Sequence, residues 1–404
     1  MLRRRAGAMV LGAVLLFVVG TSVQAGWLLV LASILLGAAV VGALLPGRMV
    51  RGVRVERRAP PEATQGAEAL VELIVTNAGR ATKLGLEIDD PHLARARVLV
   101  PPLAPGDRVV IGTVRRAARR GLHEDTPVTV RSAAPFGVAE RGRRQEVEGR
   151  TLVLPAVVRL GSTPLVDAAP TPEHAIHAAP RRGTGPEYLG IREYRTGDSM
   201  RHVHWPSSAR HGQIMVREFE QEHTRRLAIV VDTAADAGDE RTPLDTACSV
   251  AASVAFAALG RGQGVRLVAA RGGRVDALMR AEGAPLLAWL AELPAFGGLT
   301  LTDVLPELAP RLRGVQTVLI PAPTWRGNAA LPEAVGSVQA AAPRVAVALI
   351  EAHTYPGDRR APVLSADDVD RLERELLGRG VAVYRVRAEE DLAACLARPT
   401  VLAS

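Results

Sequence analysis

The sequence predicts a multidomain chain: an N-terminal transmembrane helical hairpin, a small β-sandwich-like domain, then an α/β doubly wound domain. Three observations carry this reading. The chain opens on two apolar runs without a charge inside either. Short alternating runs follow, punctuated by Pro and Gly. From Arg226 onward, continuous apolar runs of strand length alternate with helical patterns. Each pattern has its own period, and the period is the main signal of secondary structure. The expected boundaries are 1–47 for the hairpin, 48–160 for the β-sandwich-like domain, 161–226 for a linker with a polar segment, and 227–404 for the α/β domain. A chain of 404 residues has room for two or three such units.

The first run is Ala6–Val23 and the second is Trp27–Leu45, with Pro46-Gly47 expected to end it. Both approach the roughly 20 helical residues that a bilayer core of about 30 Å requires. Arginines precede the first run and follow the second, and none lies between. The positive-inside rule then places both ends in the cytoplasm. Arg3–Arg5 with Val23-Gln24-Ala25 also fits a cleaved signal peptide, with the second run as a lone anchor. The uncleaved hairpin is the favoured of the two, and both put Arg48 onward in the cytoplasm, at the cell membrane. The same segment explains the charge. Residues 1–60 carry eight arginines and Glu56, or +7 of a net +8. The rest of the chain is nearly neutral, so the pI of about 10.5 does not point to nucleic acid. Arginines next to an apolar span can instead rest on anionic headgroups.

Ala69–Thr76 alternates and is closed by Asn77-Ala78-Gly79. Lys83–Asp89, Arg95–Val100, Val109–Arg115, Pro127–Arg131 and Thr151–Leu154 continue at short spacing, as the strands of a small sandwich would. Leu160–Pro180 has no period and reads as a linker or wrapping segment. Further on, the strands are Leu227–Val231, Val265–Ala270, Gln316–Ile320, Val345–Ile350 and Val381–Val386. The helices are Leu244–Leu259, Ala284–Leu293, Thr302–Leu312 capped by Thr302-Asp303, Leu331–Ala341, Ala366–Leu377 capped by Ser365, and Glu389–Ala397. Apolar strands alternating with helices predict a mainly parallel sheet buried on both faces.

Between the β and α/β regions lies Gly183–Phe219, the densest polar and aromatic stretch of the chain. It reads as a loop-rich element rather than a helix face or strand pair. Its fixed pieces are Gly185, Tyr188, Arg192-Glu193-Tyr194, Gly197-Asp198, Arg201, His204-Trp205, Ser208-Ala209-Arg210 and Val216-Arg217-Glu218-Phe219. This spacing resembles the signature of the domain-of-unknown-function 58 family. The turn Ala134-Pro135-Phe136-Gly137 is similar to one that precedes the signature in that family, whereas Pro206 departs from the basic residue often found after the Trp. The resemblance implies membrane helices, a β-rich region and a von Willebrand factor A-like domain. It also implies a partner, because such proteins are commonly encoded beside MoxR-type AAA+ ATPases and membrane proteins with transglutaminase-like domains. The function it implies is a membrane-anchored, cytoplasm-facing scaffold or adaptor in protein assembly or maturation. The alternative is an envelope-associated, hydrolase-like enzyme using Glu193, Asp198 and His204.

A von Willebrand factor A-like sheet commonly holds a divalent cation at its strand ends, with Asp-x-Ser-x-Ser, a Thr and often a further Asp. Hard cations need several oxygens at one point. Here Asp232 stands first, Ala234 replaces a serine, and Asp236 takes the second serine's place. Thr300 or Thr302 could serve as the threonine, and Ile320–Pro323 supplies no carboxylate. The expectation is a degenerate site without metal, with Asp232 capping the sheet edge. His202, His204 and His211 offer imidazoles but no familiar zinc spacing. Glu193, Asp198 and Glu218 lie among Arg192, Arg195, Arg201 and Arg217, as in a salt-bridge network. Gly183-Thr184-Gly185 lacks the strand and helix that a phosphate loop requires, and no catalytic triad stands out. No cofactor is expected. Cys248 and Cys395 sit in apolar patterns and read as buried free thiols.

Overall fold

The computed structural model describes residues 2–90, 97–124, 127–167, 183–194, 200, 203–219, 226–236, 241–278, 282–312, 315–357 and 362–400. Its contacts divide the chain into two compact units, Met1–Leu154 and Pro155–Ser404.

The first unit opens with α1 (Leu2–Ser22) and α2 (Gly26–Val50). They pack through small residues: Ala13, Gly20, Ala32 and Ala39 are buried. A Cβ at Gly20 would lie 3.0 Å from the Leu28 Cβ, so glycine eases the close approach there. The large residues turn outward instead, with Leu11, Leu15, Phe17, Trp27, Ile34 and Leu44 all exposed. Small inside and large apolar outside suits helices that meet in lipid. The helix Gly26–Val50 is long and apolar enough to cross a membrane, and Ala6–Ser22 is apolar but shorter.

Contrary to expectation, α2 does not stop at Pro46-Gly47. It runs through Pro46 to Val50. Proline at 46 cannot donate to the carbonyl four residues back. Tertiary contacts outweigh that loss: Met49 and Val50 are buried in the β core, and Lys83 Nζ donates to the Arg48 carbonyl at 2.9 Å.

Ten strands follow: β1 (Val53–Arg58), β2 (Glu62–Thr64), β3 (Glu68–Asn77), β4 (Leu86–Asp89), β5 (Arg97–Val100), β6 (Arg108–Arg116), β7 (Gly121–Glu124), β8 (Val128–Ser132), β9 (Arg141–Gln145) and β10 (Arg150–Leu154). They form sheets of order β1-β3-β6, β2-β10-β7 and β5-β4-β8-β9. The first and third share one core, where Val71, Leu73 and Val75 meet Leu86, Ile88, Val128 and Val130. Two details pin this unit. Asn77, fully buried, donates through Nδ2 to the carbonyls of Ala81, Leu103 and Ala104 at 3.0 Å each. Arg57 is buried against Asp90 at 2.6 Å.

The described start of the second unit, residues 155–167, packs onto the α/β part, as the wrapping alternative for this stretch expects. Val158 N–H donates to Ser253, Thr163 donates to the Leu396 carbonyl at 2.7 Å, and the short α3 (Pro164–Asp167) buries Leu165 and Val166. Next come β11 (Gly183–Glu193), α4 (Trp205–His211) and β12 (Met215–Phe219). The α/β part then runs β13 (Arg226–Val231), α5 (Pro243–Leu259), β14 (Gly264–Arg271), β15 (Arg274–Leu278), α6 (Gly283–Ala291), α7 (Leu301–Leu308), β16 (Thr317–Pro323), α8 (Leu331–Gln339), β17 (Arg344–Ile350), α9 (Ala366–Gly378), β18 (Ala382–Val386) and α10 (Leu392–Ala397).

The sheet has order β15-β14-β13-β16-β17-β18, with β15 antiparallel at the edge and the other pairings parallel. Alternate residues of β13 enter opposite cores. Leu227, Ile229 and Val231 pack with α5 and α6, while Ala228 and Val230 pack with α7, α8 and α9. Burial on both faces explains why these strands read as continuous apolar runs. The antiparallel β15 escaped the sequence reading because Arg274–Leu278 is half polar and follows a two-residue glycine turn.

Candidate functional site

In a parallel sheet with helices on both faces, the chemically accessible place is the carboxyl end of the strands where the order reverses. Here that point lies between β13 and β16. Asp232 leaves β13 at this edge and is only 2% exposed. Its carboxylate accepts from the Ala234 N–H at 2.9 Å and from Asn328 Nδ2 at 2.5 Å. The same Asn328 amide donates to the Pro323 carbonyl at 2.8 Å. Burial pushes the Asp232 carboxyl up to about 6, against the pull of the Ala234 and Asn328 hydrogen bonds. Thr233 donates to the Ala270 carbonyl at 2.7 Å and accepts the Gly297 N–H through its own carbonyl. Trp325, 3% exposed, covers this edge with Ala235, Ala352 and Val363.

The other candidate cation ligands are engaged elsewhere. Asp236 accepts from the Leu244 N–H, at the start of α5. Thr300 and Thr302 face each other at 2.5 Å, and Thr300 donates to Asp303 at 2.7 Å. The cap of α7 is therefore Thr300 with Asp303, not the expected Thr302-Asp303. Among the described residues, no three His, Cys, Asp or Glu side chains converge as metal ligands would. An amide N–H donor, not an oxygen, stands on the Asp232 carboxylate, so this donor set does not fit a hard cation. Asn328 went unremarked in the sequence because it lies beyond the expected strand and belongs to no motif. Only its place after β16 in the folded sheet brings it to Asp232.

Further along the same edge, Glu351 follows β17 and is 1% exposed. It accepts from Arg385 Nε at 2.6 Å and Arg387 Nε at 3.2 Å. Burial lowers the Arg385 pKa, but Glu351, Asp370 and Glu373 outweigh it and raise the pKa on balance. Tyr355 donates to Thr246 at 2.7 Å, and burial raises its hydroxyl to about 12. Cys248 is a buried thiol as expected, whereas Cys395 is only half-buried, with its thiol pushed up to about 11 by burial and by Glu390.

The polar segment is a strand pair, which corrects the loop-rich reading. β11 and β12 pair antiparallel, with Tyr188 opposite Phe219, Gly190 opposite Glu218, Ile191 opposite Arg217 and Arg192 opposite Val216. The register shifts on either side of Tyr188 broke the alternation that would have marked the strand. Gly185 also lies in β11, and Glu193 ends it, with Tyr194 next. Arg195, Gly197, Asp198, Arg201 and His202 lie outside the described residues, and with them part of the expected salt-bridge network.

The structure gives His204 a capping role. It is the N-cap of α4, its Nδ1 lies 2.8 Å from Ser207 Oγ, and the Ser207 N–H donates to the ring. Ser208 ties the helix to β12. Its hydroxyl donates to the His204 carbonyl at 3.0 Å and accepts the Met215 N–H at 2.8 Å. Trp205, Ala209, Arg210 and His211 are exposed.

Residues 190–285 match the model of the family described as "Protein of unknown function DUF58". The match covers β12, α4 and the start of the α/β sheet. It therefore supports the DUF58 resemblance carried by the polar segment. No curated protein matches the chain. Solved structures give weak likenesses. Trypsin-activated α2-macroglobulin from Escherichia coli is 18% identical over 29% of this chain and 9% of its own, with a TM-score of 0.19. A β-glucosidase from Listeria innocua in complex with gluconolactone is 17% identical over 25% of this chain and 16% of its own, at a TM-score of 0.13. An inactive mutant of the GH20 exo-β-N-acetylglucosaminidase from Vibrio harveyi is 8% identical over 83% of this chain and 57% of its own, at 0.19. The chain spans less than two thirds of each of these proteins, and at such scores the likenesses carry no argument about fold or activity.

Proposed function

We propose that this chain is a membrane-anchored adaptor whose soluble units face the cytoplasm and act by binding proteins, not by catalysis. Its α/β part is read as von Willebrand factor A-like. The sheet with its first parallel strand at the centre, one antiparallel edge and helices on both faces supports that reading. The partner is a MoxR-type AAA+ ATPase, and the work is assembly or maturation of a client protein. Both follow from the DUF58 resemblance.

One observation carries the proposal. The strand-end position at which such sheets usually do chemistry is filled from within, by Asn328 on Asp232 and by Trp325 above. A partner is then met through surface rather than through a bound ion or substrate. The exposed apolar α2, continuous with the β core, supports anchoring in a bilayer. Arg3–Arg5 at the start of α1, and Arg48 and Arg51 at the end of α2, support a cytoplasmic orientation for both ends. The test is co-purification. The tagged full chain, solubilised from membranes under ATP-trapping conditions, is expected to bring down a MoxR-type ATPase. Repeated absence of any such ATPase would remove the partner from the account.

A further inference from the structure

The end of α2 and one turn of the β unit meet at a depth that the sequence alone does not reveal. Gly42 is buried, and a side chain added there would lie 2.8 Å from Val138 Cγ2 and 3.6 Å from Phe136. Glycine at 42 thus lets the turn Ala134–Val138 lie directly on the helix. Gly42 precedes Leu45, the last residue of the apolar run, by three positions. At about 1.5 Å of rise per residue, the contact is roughly 4–5 Å inside the apolar part of the helix.

At that level the helix presents Val40, Val41 and Leu44 outward. Phe136 is itself 56% exposed. An exposed phenylalanine beside an exposed apolar helix surface continues the same surface. Toward the helix end the chemistry changes. Arg141 Cγ comes within 4.0 Å of where a side chain on Gly47 would be. Arg141 begins β9, whose Arg143 and Arg144 are also exposed. The strand is held by Gln145, which donates to the Val53 carbonyl just beyond α2 at 2.9 Å and accepts the Val55 N–H at 3.3 Å. Apolar, then basic, within a few residues is the order of a bilayer's acyl boundary and its headgroups. The junction is also held in place. Met49 and Val50 lie in the β core and Lys83 holds the Arg48 carbonyl, so the turn moves with the helix.

We propose that the Ala134–Val138 turn is a bilayer contact: Phe136 dips into the acyl boundary beside α2, and Arg141 and Arg143 meet anionic phospholipid headgroups. The β unit thereby sits flush on the membrane rather than hanging from a tether. This rests on the reading that α2 spans a bilayer.

The test uses the full chain in vesicles of phosphatidylethanolamine and phosphatidylglycerol, with Cys395→Ser as background because Cys248 is buried. A nitroxide is attached at Phe136→Cys or, as a reference within the span, at Leu36→Cys. Its collisions with oxygen and with a water-soluble nickel complex are compared. The expected result is a high oxygen-to-nickel ratio at both positions, with the label at 136 shallower. A high ratio at 36 with free access of nickel at 136 would overturn the turn's role and leave the span intact. A label at 136 shielded from both reagents would mean that protein covers it, and would also overturn the proposal. Free nickel access at both positions would overturn the span itself. A photoactivatable phospholipid applied to the unsubstituted chain gives an independent reading. It should crosslink the peptide that contains Phe136, and loss of that crosslink while α2 peptides still react would contradict the inference.

Discussion

Asp232 shows how one buried carboxyl defines the character of the site. Its ordinary pKa of 3.8 rises to about 6 in the fold because burial penalises the charged form. The folded chain therefore holds this proton more tightly than the unfolded chain does. Its contribution to stability is complete below the unfolded pKa and is lost as pH rises through about 6. The loss is on the order of 2–3 kcal/mol for a shift of this size. Asp232→Asn removes the ionisation while keeping a carbonyl oxygen for the Asn328 amide. It should raise the melting temperature at pH 8 and flatten its dependence on pH between 4 and 6, read by thermal melting of the purified full chain. An unchanged pH profile would show that Asp232 is not the group responsible. Asn328→Ala tests the same contact from the other side. Without its donor the Asp232 carboxylate is left with the Ala234 N–H, and the expected cost is about 1–3 kcal/mol at neutral pH. A cost below that range would mean that water replaces the amide easily.

At the scale of elements, the join between α2 and the β unit carries the most structural information. Gly42→Leu would drive a side chain into Val138, where even a Cβ has 2.8 Å. Overpacking of this kind costs roughly 1–3 kcal/mol. The substitution should lower the melting temperature in detergent and expose the Ala134–Val138 turn to protease, whereas Gly37→Leu, at a position with open space, should do neither. Lys83→Met removes the donor to Arg48, while burial already lowers the Lys83 pKa. Loss of that bond should cost about 1 kcal/mol, seen as a lower melting temperature.

Much of the element pattern was legible in the sequence. Ser365 was readable as a cap because serine precedes an apolar-periodic run, and it does accept the Asp368 N–H. The Thr300 cap was misread by two residues, since Thr300 and Thr302 both precede a helical pattern and only the fold shows which reaches Asp303. β9 was invisible because Arg141–Gln145 has no apolar face; its pairing with β8 comes from the backbone. β11 was hidden by its register shifts. Helix α2 outran Pro46 because burial of Met49 and Val50 is a tertiary effect that a local breaker signal does not contain.

For the whole molecule, the periods are legible in the sequence and the site is not. Periodicity points to an apolar N-terminal region, a β region and an α/β region, whereas contacts gather the chain into two units, Met1–Leu154 and Pro155–Ser404. The candidate site depends on which loops meet at the carboxyl edge of the sheet, and no spacing in the chain encodes the meeting of Asp232 with Asn328. The family match at residues 190–285 agrees with the polar segment in which the resemblance was first visible. The central claim is that the N-terminal helices anchor both units on the cytoplasmic side of a membrane. Paired reporters fused after Ser404, one active only in the cytoplasm and one only outside it, measure this directly in cells whose membranes carry the chain. The account predicts that the cytoplasmic reporter works and the external one stays silent; an active external reporter would contradict it.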